Sequence, residues 1–570
     1  MWCLKCSRET SNAICELCGK PTEIQPPVEV YWCYDCGIPV IKTANELDKG
    51  ICPRCNSKTD YLCADLRPVF PEERLLYEIV HNKPFAHIND SVWCCDNRYY
   101  INGKSKPITA AFYKILPTAE IRKQLDKFKG KNSYTQFNST IGRFIEANTE
   151  RLIAISDEAK RFISETAVNY KKKEVVISFS GGKDSSVVAD LVVRALSDPC
   201  LVHLFGDTTL EFPLTIEYAE RFRKDNPKTI FKIARNNEQD FYEVCEDIGP
   251  PARMLRWCCS MFKTGPITRT LNRLYGDKNI LTFYGIRKSE SVARSKYNRI
   301  EDDAESVKIQ KQRVASPIFL WKDIDIWLYI LGEKIDFNDA YRLGYDRVGC
   351  WCCPNNSTRA QFLSQIYMPE QAERWRNFLV DFAKRIGKPD AEEYIDSGAW
   401  KARQGGNGVK AAADVKIKFA NCTSEDNAKV YLLNKPIDDS FYELFIPFGK
   451  IAPELGRKLI NEMIIVDVET NVPILSIQPF THDDYEYSVK IKTMNVAKHA
   501  DLHRMTGYQI RKYNACRKCL KCESLCSHRA ISMISMYRIS EKHCKHCKMC
   551  VTAKYLEGGC LMDKYLKTKV

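Results

Sequence analysis

The chain has 570 residues, too many for one core, so three to five domains are expected. Its composition, 44% hydrophobic and 28% charged, is that of a soluble globular protein, and no apolar run approaches the roughly 18 residues of a membrane span. The formal charge of +14 counts thiols as neutral; five four-cysteine metal sites at about −2 each would leave roughly +4, so the basic balance is weak ground for a nucleic-acid partner. The opening MWCLKCSRET lacks the basic-then-apolar layout of a signal peptide, so a cytoplasmic protein is expected. In that compartment 27 cysteines, mostly in C-x-x-C units, point to metal rather than disulfides.

Residues 1–65 hold two four-cysteine units: Cys3, Cys6, Cys15 and Cys18, then Cys33, Cys36, Cys52 and Cys55. Each is a pair of C-x-x-C knuckles across a short loop, as in zinc ribbons. The segment is too short and too poor in aliphatics to fold unaided, so one structural Zn2+ in each unit is expected. Residues 66–170 read as an accessory α+β region. VWCCDNRYYINGKSKPI gives short strands around an Asn-Gly turn. Ile145, Leu152, Ile155, Ala159 and Phe162 fall on one helical face. Cys94-Cys95 has no partner pair nearby and reads as buried and structural.

From 171 to 390 the pattern alternates. EVVISFS, CLVHLFGDT, TIFKIAR and NILTFYGI read as strands, with helices over 184–197 and 213–225. This is the βαβ signature of an α/β fold with a doubly wound parallel sheet. Residues 391–505, with QGGNG as a linker, read as a second accessory α+β region. Residues 506–570 hold eight cysteines.

In a doubly wound sheet ligands bind at the carboxyl ends of the strands. Ser180-Gly-Gly-Lys-Asp-Ser185 sits there, between a strand and a helix N-terminus. Gly181 and Gly182 let the backbone turn with its amides exposed, and Lys183 adds charge for a phosphate. Ser180 and Ser185 can donate to phosphate oxygens, and Asp184 can cap the helix. A plain Gly-Gly turn is the bland alternative; the Walker A spacing is absent.

This loop resembles the pyrophosphate (PP) loop of the ATP-pyrophosphatase superfamily and, more narrowly, that of the phosphoadenosine phosphosulfate (PAPS) reductase family. LFGDTTLEFPLT, with Asp207, Thr208, Glu211 and Pro213, is similar to the family's second-strand motif. RWCCSMFKTGP, with Arg256, Cys258, Cys259, Lys263 and Pro266, is similar to its cysteine-pair segment. GIRKSESVAR, with Gly285, Arg287, Glu290, Ser291 and Arg294, resembles its basic substrate loop, and SPIFLWKDIDIWLYI its closing helix. The resemblance covers about 200 residues. It implies an adenine-nucleotide-alpha-hydrolase-like fold that binds ATP or a sulfonucleotide with Mg2+. The implied nucleotide contacts are Ser180, Gly181, Gly182, Lys183, Asp184, Ser185, Asp207, Gly285 and Arg287; the implied catalytic residues are Lys183, Asp184, Arg287 and Arg294. Some members carry a 4Fe–4S cluster beside the nucleotide. Here that implies Cys258, Cys259, Cys350 and Cys353 as ligands, with Cys352 a bystander and zinc the alternative.

CRKCLKCESLC places Cys516, Cys519, Cys522 and Cys526 at the spacing of bacterial ferredoxins, and Cys544, Cys547, Cys550 and Cys560 follow. In two-cluster domains of that kind the fourth cysteine of each run ligates the other cluster. Cys516, Cys519, Cys522 and Cys560 are therefore expected to hold one 4Fe–4S cluster, and Cys526, Cys544, Cys547 and Cys550 another, in a ferredoxin-like domain. Two features depart from the pattern: Ser527 and Leu561 replace the usual proline, and the last gap is nine residues instead of three.

The reading preferred from sequence is ATP-dependent sulfur transfer to a nucleic acid or small acceptor, which the intact loop and the zinc ribbons favour. The alternative is a sulfonucleotide reductase releasing sulfite, with electrons from the ferredoxin-like tail. Against it stands the absence of the C-terminal ECG-x-H-like cysteine motif of family reductases. A nucleotide-binding redox sensor is the third reading. The expected partners are an adenine nucleotide, a nucleic-acid acceptor, and a sulfur-donor protein or an electron donor, with no membrane.

Overall fold

The computed structural model describes residues 2–3, 8–9, 14–18, 27–131, 133–276, 278–301, 311–483, 485–554 and 556–567. Cys6 lies outside them. No helix of the described residues is long and apolar enough to cross a membrane.

A six-stranded sheet forms the centre. Its strands are β1 (Val175–Phe179), β2 (Val202–Asp207), β3 (Ile230–Arg235), β4 (Ile280–Phe283), β5 (Ile300–Glu301) and β6 (Gln312–Ala315), in the order β3-β2-β1-β4-β6-β5. Val175, Val176, Ile177 and Phe179 of β1 are all buried, as a central parallel strand requires with both faces covered. The sheet is not wholly parallel. β1 to β4 and β6 pair in parallel, but the two-residue β5 pairs antiparallel with β6 at the edge of the sheet. Helices α1 (Lys183–Leu196), α2 (Pro213–Asp225), α3 (Gly265–Tyr275) and α4 (Asp323–Gly332) accompany these strands. The chain winds outward from β1 to β3, then crosses back to β4 on the other side of β1. That reversal leaves a crevice at the carboxyl ends of β1 and β4.

The N-terminal sheet, Val28–Cys33, Ile38–Thr43 and Thr59–Cys63, is antiparallel and carries the second cysteine unit. Buried Asn148 fastens it to the rest: its side chain accepts from the Ile41 amide at 2.7 Å and donates to the carbonyls of Pro39 and Phe144. Asn148 also interrupts the apolar stripe read from sequence. Ile145 belongs to helix Thr135–Ala147, and Leu152, Ile155, Ala159 and Phe162 to helix Thr149–Ala167. Cys94 is buried and Cys95 half-buried.

Residues Phe419–Thr493 form a second six-stranded sheet, antiparallel throughout. It is followed by α5 (His499–Ala515), α6 (Lys521–Leu525), α7 (Met549–Thr552) and α8 (Leu561–Leu566). One apolar core runs from Trp257 and Phe262 through Trp375, Leu475 and Ile491 to Ile510, Cys522 and Met562. QGGNG is not a free linker. Gly406 is buried, and a Cβ there would stand 2.4 Å from the Leu566 carbonyl oxygen, so the stretch is clamped against α8.

Candidate functional site

The PP-like loop turns at Gly181, whose φ of +68° is a conformation that favours glycine. It is braced from behind. Asn338 donates to the Gly181 carbonyl at 3.1 Å, and the Tyr341 hydroxyl accepts from the Lys183 amide at 3.0 Å. The Ser185 hydroxyl accepts from the Ser180 amide and donates to the Gly182 carbonyl. Gly285, just after β4, lies against the start of α1: a Cβ there would sit 2.7 Å from the Asp184 carbonyl carbon. The loops after β1 and β4 thus meet at the switch point of the sheet.

Asp184 does not cap α1, because the cap position is Gly182. Its carboxylate receives Arg287 Nε at 2.5 Å and faces Lys183 Nζ at 3.7 Å. Asp323, at the start of α4, takes both Lys183 Nζ at 3.1 Å and Arg287 Nη2 at 2.8 Å. The buried ammonium of Lys183 also donates to the Asp346 carbonyl at 3.1 Å. Burial opposes the charge of Lys183, yet Asp184 and Asp323 hold its pKa above the ordinary value; burial likewise opposes Asp184, which Arg287 and Lys183 hold below its own. Two cations and two carboxylates therefore form a neutral set beside the loop. Arg294 pairs with Glu290, and burial together with the nearby Arg347 charge lowers it to about 10. Asp207 accepts from the Thr209 amide and faces Arg235 at 3.4 Å, rather than joining this set.

Behind this set stand acids and arginines from residues 65–73 and 346–359. Asp65 caps α4 by accepting from the Asp323 and Ile324 amides, both at 3.0 Å. Burial and the charge of Asp323 push it up to about 6. The Asp346 carboxylate is held by Arg67 at 2.7 Å and Arg359 at 3.2 Å, and both arginines bind the buried Glu73. Sequence reasoning missed Asp65, Asp323, Asp346, Asn338 and Tyr341. Only Asp323 carried a signal, as the first acid of the closing helix.

Cys350 follows Asp346 by four residues, a reach of at most about 14 Å. It bridges to Glu211 in the loop after β2, and its sulfur is 3.5 Å from Thr208 Oγ1. Cys258 and Cys259 precede a widened π-helical turn, Ser260–Thr264, that leads into α3. Hydrogen bonding to Cys259, burial, and the charges of Cys259, Cys350 and Cys352 raise Cys258 well above the ordinary thiol range. Hydrogen bonding from Cys258 and the charge of Arg256, whose Nη2 is 3.4 Å away, lower Cys259 to about 5. Cys353 acts on Arg256 as well. Cys258, Cys259, Cys350 and Cys353 thus share one neighbourhood rimmed by Arg256 and Lys263.

The sulfurs of Cys33, Cys36, Cys52 and Cys55 lie within 4.8 Å of one another, as do those of Cys3, Cys15 and Cys18. Thiolates around one tetrahedral ion with bonds of about 2.3 Å stand roughly 3.8 Å apart, so both groups suit a single metal ion. The eight C-terminal cysteines are more widely set. Cys560, Cys522 and Cys516 bear on the burial-raised thiol of Cys519, and Cys516 and Cys522 on that of Cys560. Cys526, Cys544, Cys547 and Cys550 line one cavity. Both runs repeat one backbone form: Lys518 and Leu520 after Cys516, and His546 and Lys548 after Cys544, all have positive φ. Each non-glycine residue held there costs about 1–2 kcal/mol. The turns aim amides at sulfur, as His546 N does toward Cys544 at 3.4 Å.

α3 and α6 join the two cysteine regions. A Cβ on Gly265 would stand 2.5 Å from Leu520 Cβ, Arg269 pairs with Glu523 at 2.8 Å, and Gln239 donates to the Arg517 carbonyl. Tyr565 of α8 sits between: burial and then the charges of Cys519, Cys259 and Cys258 raise its hydroxyl.

The central part of the chain thus has an α/β fold like that of PP-loop, adenine-nucleotide-alpha-hydrolase proteins, and two N-terminal cysteine groups are spaced for metal. Residues 174–356 match the family model of the phosphoadenosine phosphosulfate reductase domain, which relates this part of the chain to that family. The chain is similar to an uncharacterized protein of Methanocaldococcus jannaschii, 32% identical over 288 residues. That is 50% of this chain and 58% of the relative, so the chain spans less than two thirds of it. It is also similar to an adenosine 5'-phosphosulfate reductase of Staphylococcus epidermidis, 26% identical over 233 residues, which cover 39% of this chain and 86% of that enzyme. A solved structure, the PAPS reductase of Candida auris in a phosphate complex, is 16% identical and covers 36% of this chain and 96% of its own, with a TM-score of 0.28.

Proposed function

We propose that this protein reduces a 5'-adenylyl sulfonucleotide to sulfite and AMP, drawing electrons through its own C-terminal cysteine module. The observation that carries the reading is the meeting of three parts: a PP-like loop, a cysteine quartet one loop away, and a second cysteine module docked on the helix that follows the Cys258-Cys259 pair of that quartet. Similarity over most of an adenosine 5'-phosphosulfate reductase supports it.

Lys183 and the loop amides bind the phosphate, while Arg287 and Arg294 orient the sulfonate. The bond between sulfur and the bridging phosphate oxygen breaks. Two electrons enter, AMP keeps the oxygen, and sulfite leaves. A small one-electron donor supplies the electrons. Cys258, Cys259, Cys350 and Cys353 would hold one 4Fe–4S cluster, Cys516, Cys519, Cys522 and Cys560 a second, and Cys526, Cys544, Cys547 and Cys550 a third; such clusters supply one-electron transfer when bound. Tyr537 supports the fit at the second group, because its buried hydroxyl turns to the Cys522 sulfur: burial first, then the charge of Cys522 and a hydrogen bond to it, raise the hydroxyl. Zn2+ suits the two N-terminal units as a structural ion.

ATP-dependent sulfur transfer stays as a second reading on one observation: the chain lacks the ECG-x-H-like motif that carries the reductase nucleophile. One experiment separates them. Protein purified without oxygen is assayed for iron and zinc, then given adenylylsulfate with reduced methyl viologen, or ATP alone. The reductase predicts about twelve iron atoms per chain and sulfite equal to AMP. Pyrophosphate and AMP from ATP, with no sulfite from adenylylsulfate, overturn it in favour of the transferase.

A further inference from the structure

Lys512 lies in the last turn of α5 and is only 1% exposed. Its ammonium donates to the Cys550 carbonyl at 2.7 Å and lies 5.3 Å from the centroid of the Tyr537 ring. Among the described residues no carboxylate pairs with it. A buried ammonium held only by neutral groups is costly, so a counter-charge is required. The side chain reaches both C-terminal groups: its ammonium touches Cys550 of one, and it lines a cavity together with Cys516 of the other. Cys516 caps the carboxyl end of α5, where the helix dipole disfavours negative charge. Lys512 offsets that dipole. A cavity of about 170 Å3 opens beside it, lined also by Cys516, Lys435, Lys518, Tyr513 and Tyr537.

We propose that Lys512 is a positioning residue whose fixed positive charge, set between the two C-terminal cysteine groups, makes clusters bound there easier to reduce. The inference rests on the cluster reading above. One-electron reduction adds one negative charge to a site that the ammonium faces, and nearby positive charge favours the reduced state.

The test is a potentiometric titration of the full-length, anaerobically purified protein, followed by electron paramagnetic resonance, with iron counted in every sample. Lys512→Met should keep its iron. At the potential where the native sites are half reduced, its reduced-to-oxidised ratio should fall at least tenfold, a downward midpoint shift of about 59 mV for one electron. Lys512→Arg should stay near the native midpoint. An unchanged midpoint in iron-loaded Lys512→Met overturns the proposal, as does an equal drop in Lys512→Arg. If Lys512→Met loses iron, Lys512→Gln is read by the same rule, and iron lost from all three variants assigns the lysine to packing and also overturns it. Absence of iron from the native protein refutes the cluster reading instead.

Discussion

Lys183→Met tests the phosphate site most directly. The Lys183 ammonium faces Asp323 across 3.1 Å, an attraction of about 5 kcal/mol at an effective dielectric of 20. The burial cost of the lysine offsets part of this, and Arg287 still pairs with both carboxylates in the variant, which leaves the set one negative charge in excess. The low end of the range for breaking a buried pair therefore applies, about 3 kcal/mol of stability. On the proposed function the ammonium supplies one charge-assisted hydrogen bond to phosphate, about 1.5–3 kcal/mol, so adenylylsulfate should bind about 10- to 150-fold more weakly. Calorimetric binding under anaerobic conditions measures this, with iron content as the control. Asp323→Asn should act in the opposite direction, because it removes the carboxylate that competes with phosphate for the same ammonium. Affinity within threefold of native in folded, iron-loaded Lys183→Met refutes the reasoning, and equal weakening by Asp323→Asn refutes the competition.

Three further outcomes follow from the geometry. Cys52→Ser should lower bound zinc by one per chain and open the Val28–Cys63 sheet to proteolysis, while nucleotide affinity persists. Gly265→Val should wedge Leu520 away at a cost of about 1–3 kcal/mol; faster hydrogen exchange over residues 516–526 with little change over 175–196 would show it, and uniform protection would refute the contact. Asp65 carries a folded pKa of about 6 against 3.8 unfolded, so the native state holds that proton more tightly and loses stability as pH rises from about 4 to 6. The shift corresponds to at most about 3 kcal/mol. The apparent Tm of Asp65→Asn relative to native should therefore rise between pH 4 and pH 7, and a falling difference would contradict the burial argument.

The PP-like loop and the C-x-x-C runs were legible because their chemistry is local: two glycines, a change of period, and fixed cysteine intervals. The acid that braces the Lys183 set from behind, Asp65, was not. Asp65 reaches the Asp323 amide across 258 residues of chain, and neither end announces the other. The stripe from Ile145 to Phe162 looked continuous because Asn148 is tolerated at a helical position, and only tertiary contacts with Pro39 and Ile41 reveal it as a break. QGGNG looked like a linker because glycine signals either freedom or close approach; here Gly406 serves the second purpose. The antiparallel sheet went unread because YEYSVKIKT alternates with lysines and gives no partner order.

In the proposed assignment, the grouping of Cys560 with Cys516, Cys519 and Cys522, and of Cys526 with the later run, would lace the two halves of the C-terminal module into each other. Neither half would own a complete set of ligands. A chelator that strips one half would loosen the other, and loading would proceed as a single cooperative event rather than as two separate fillings.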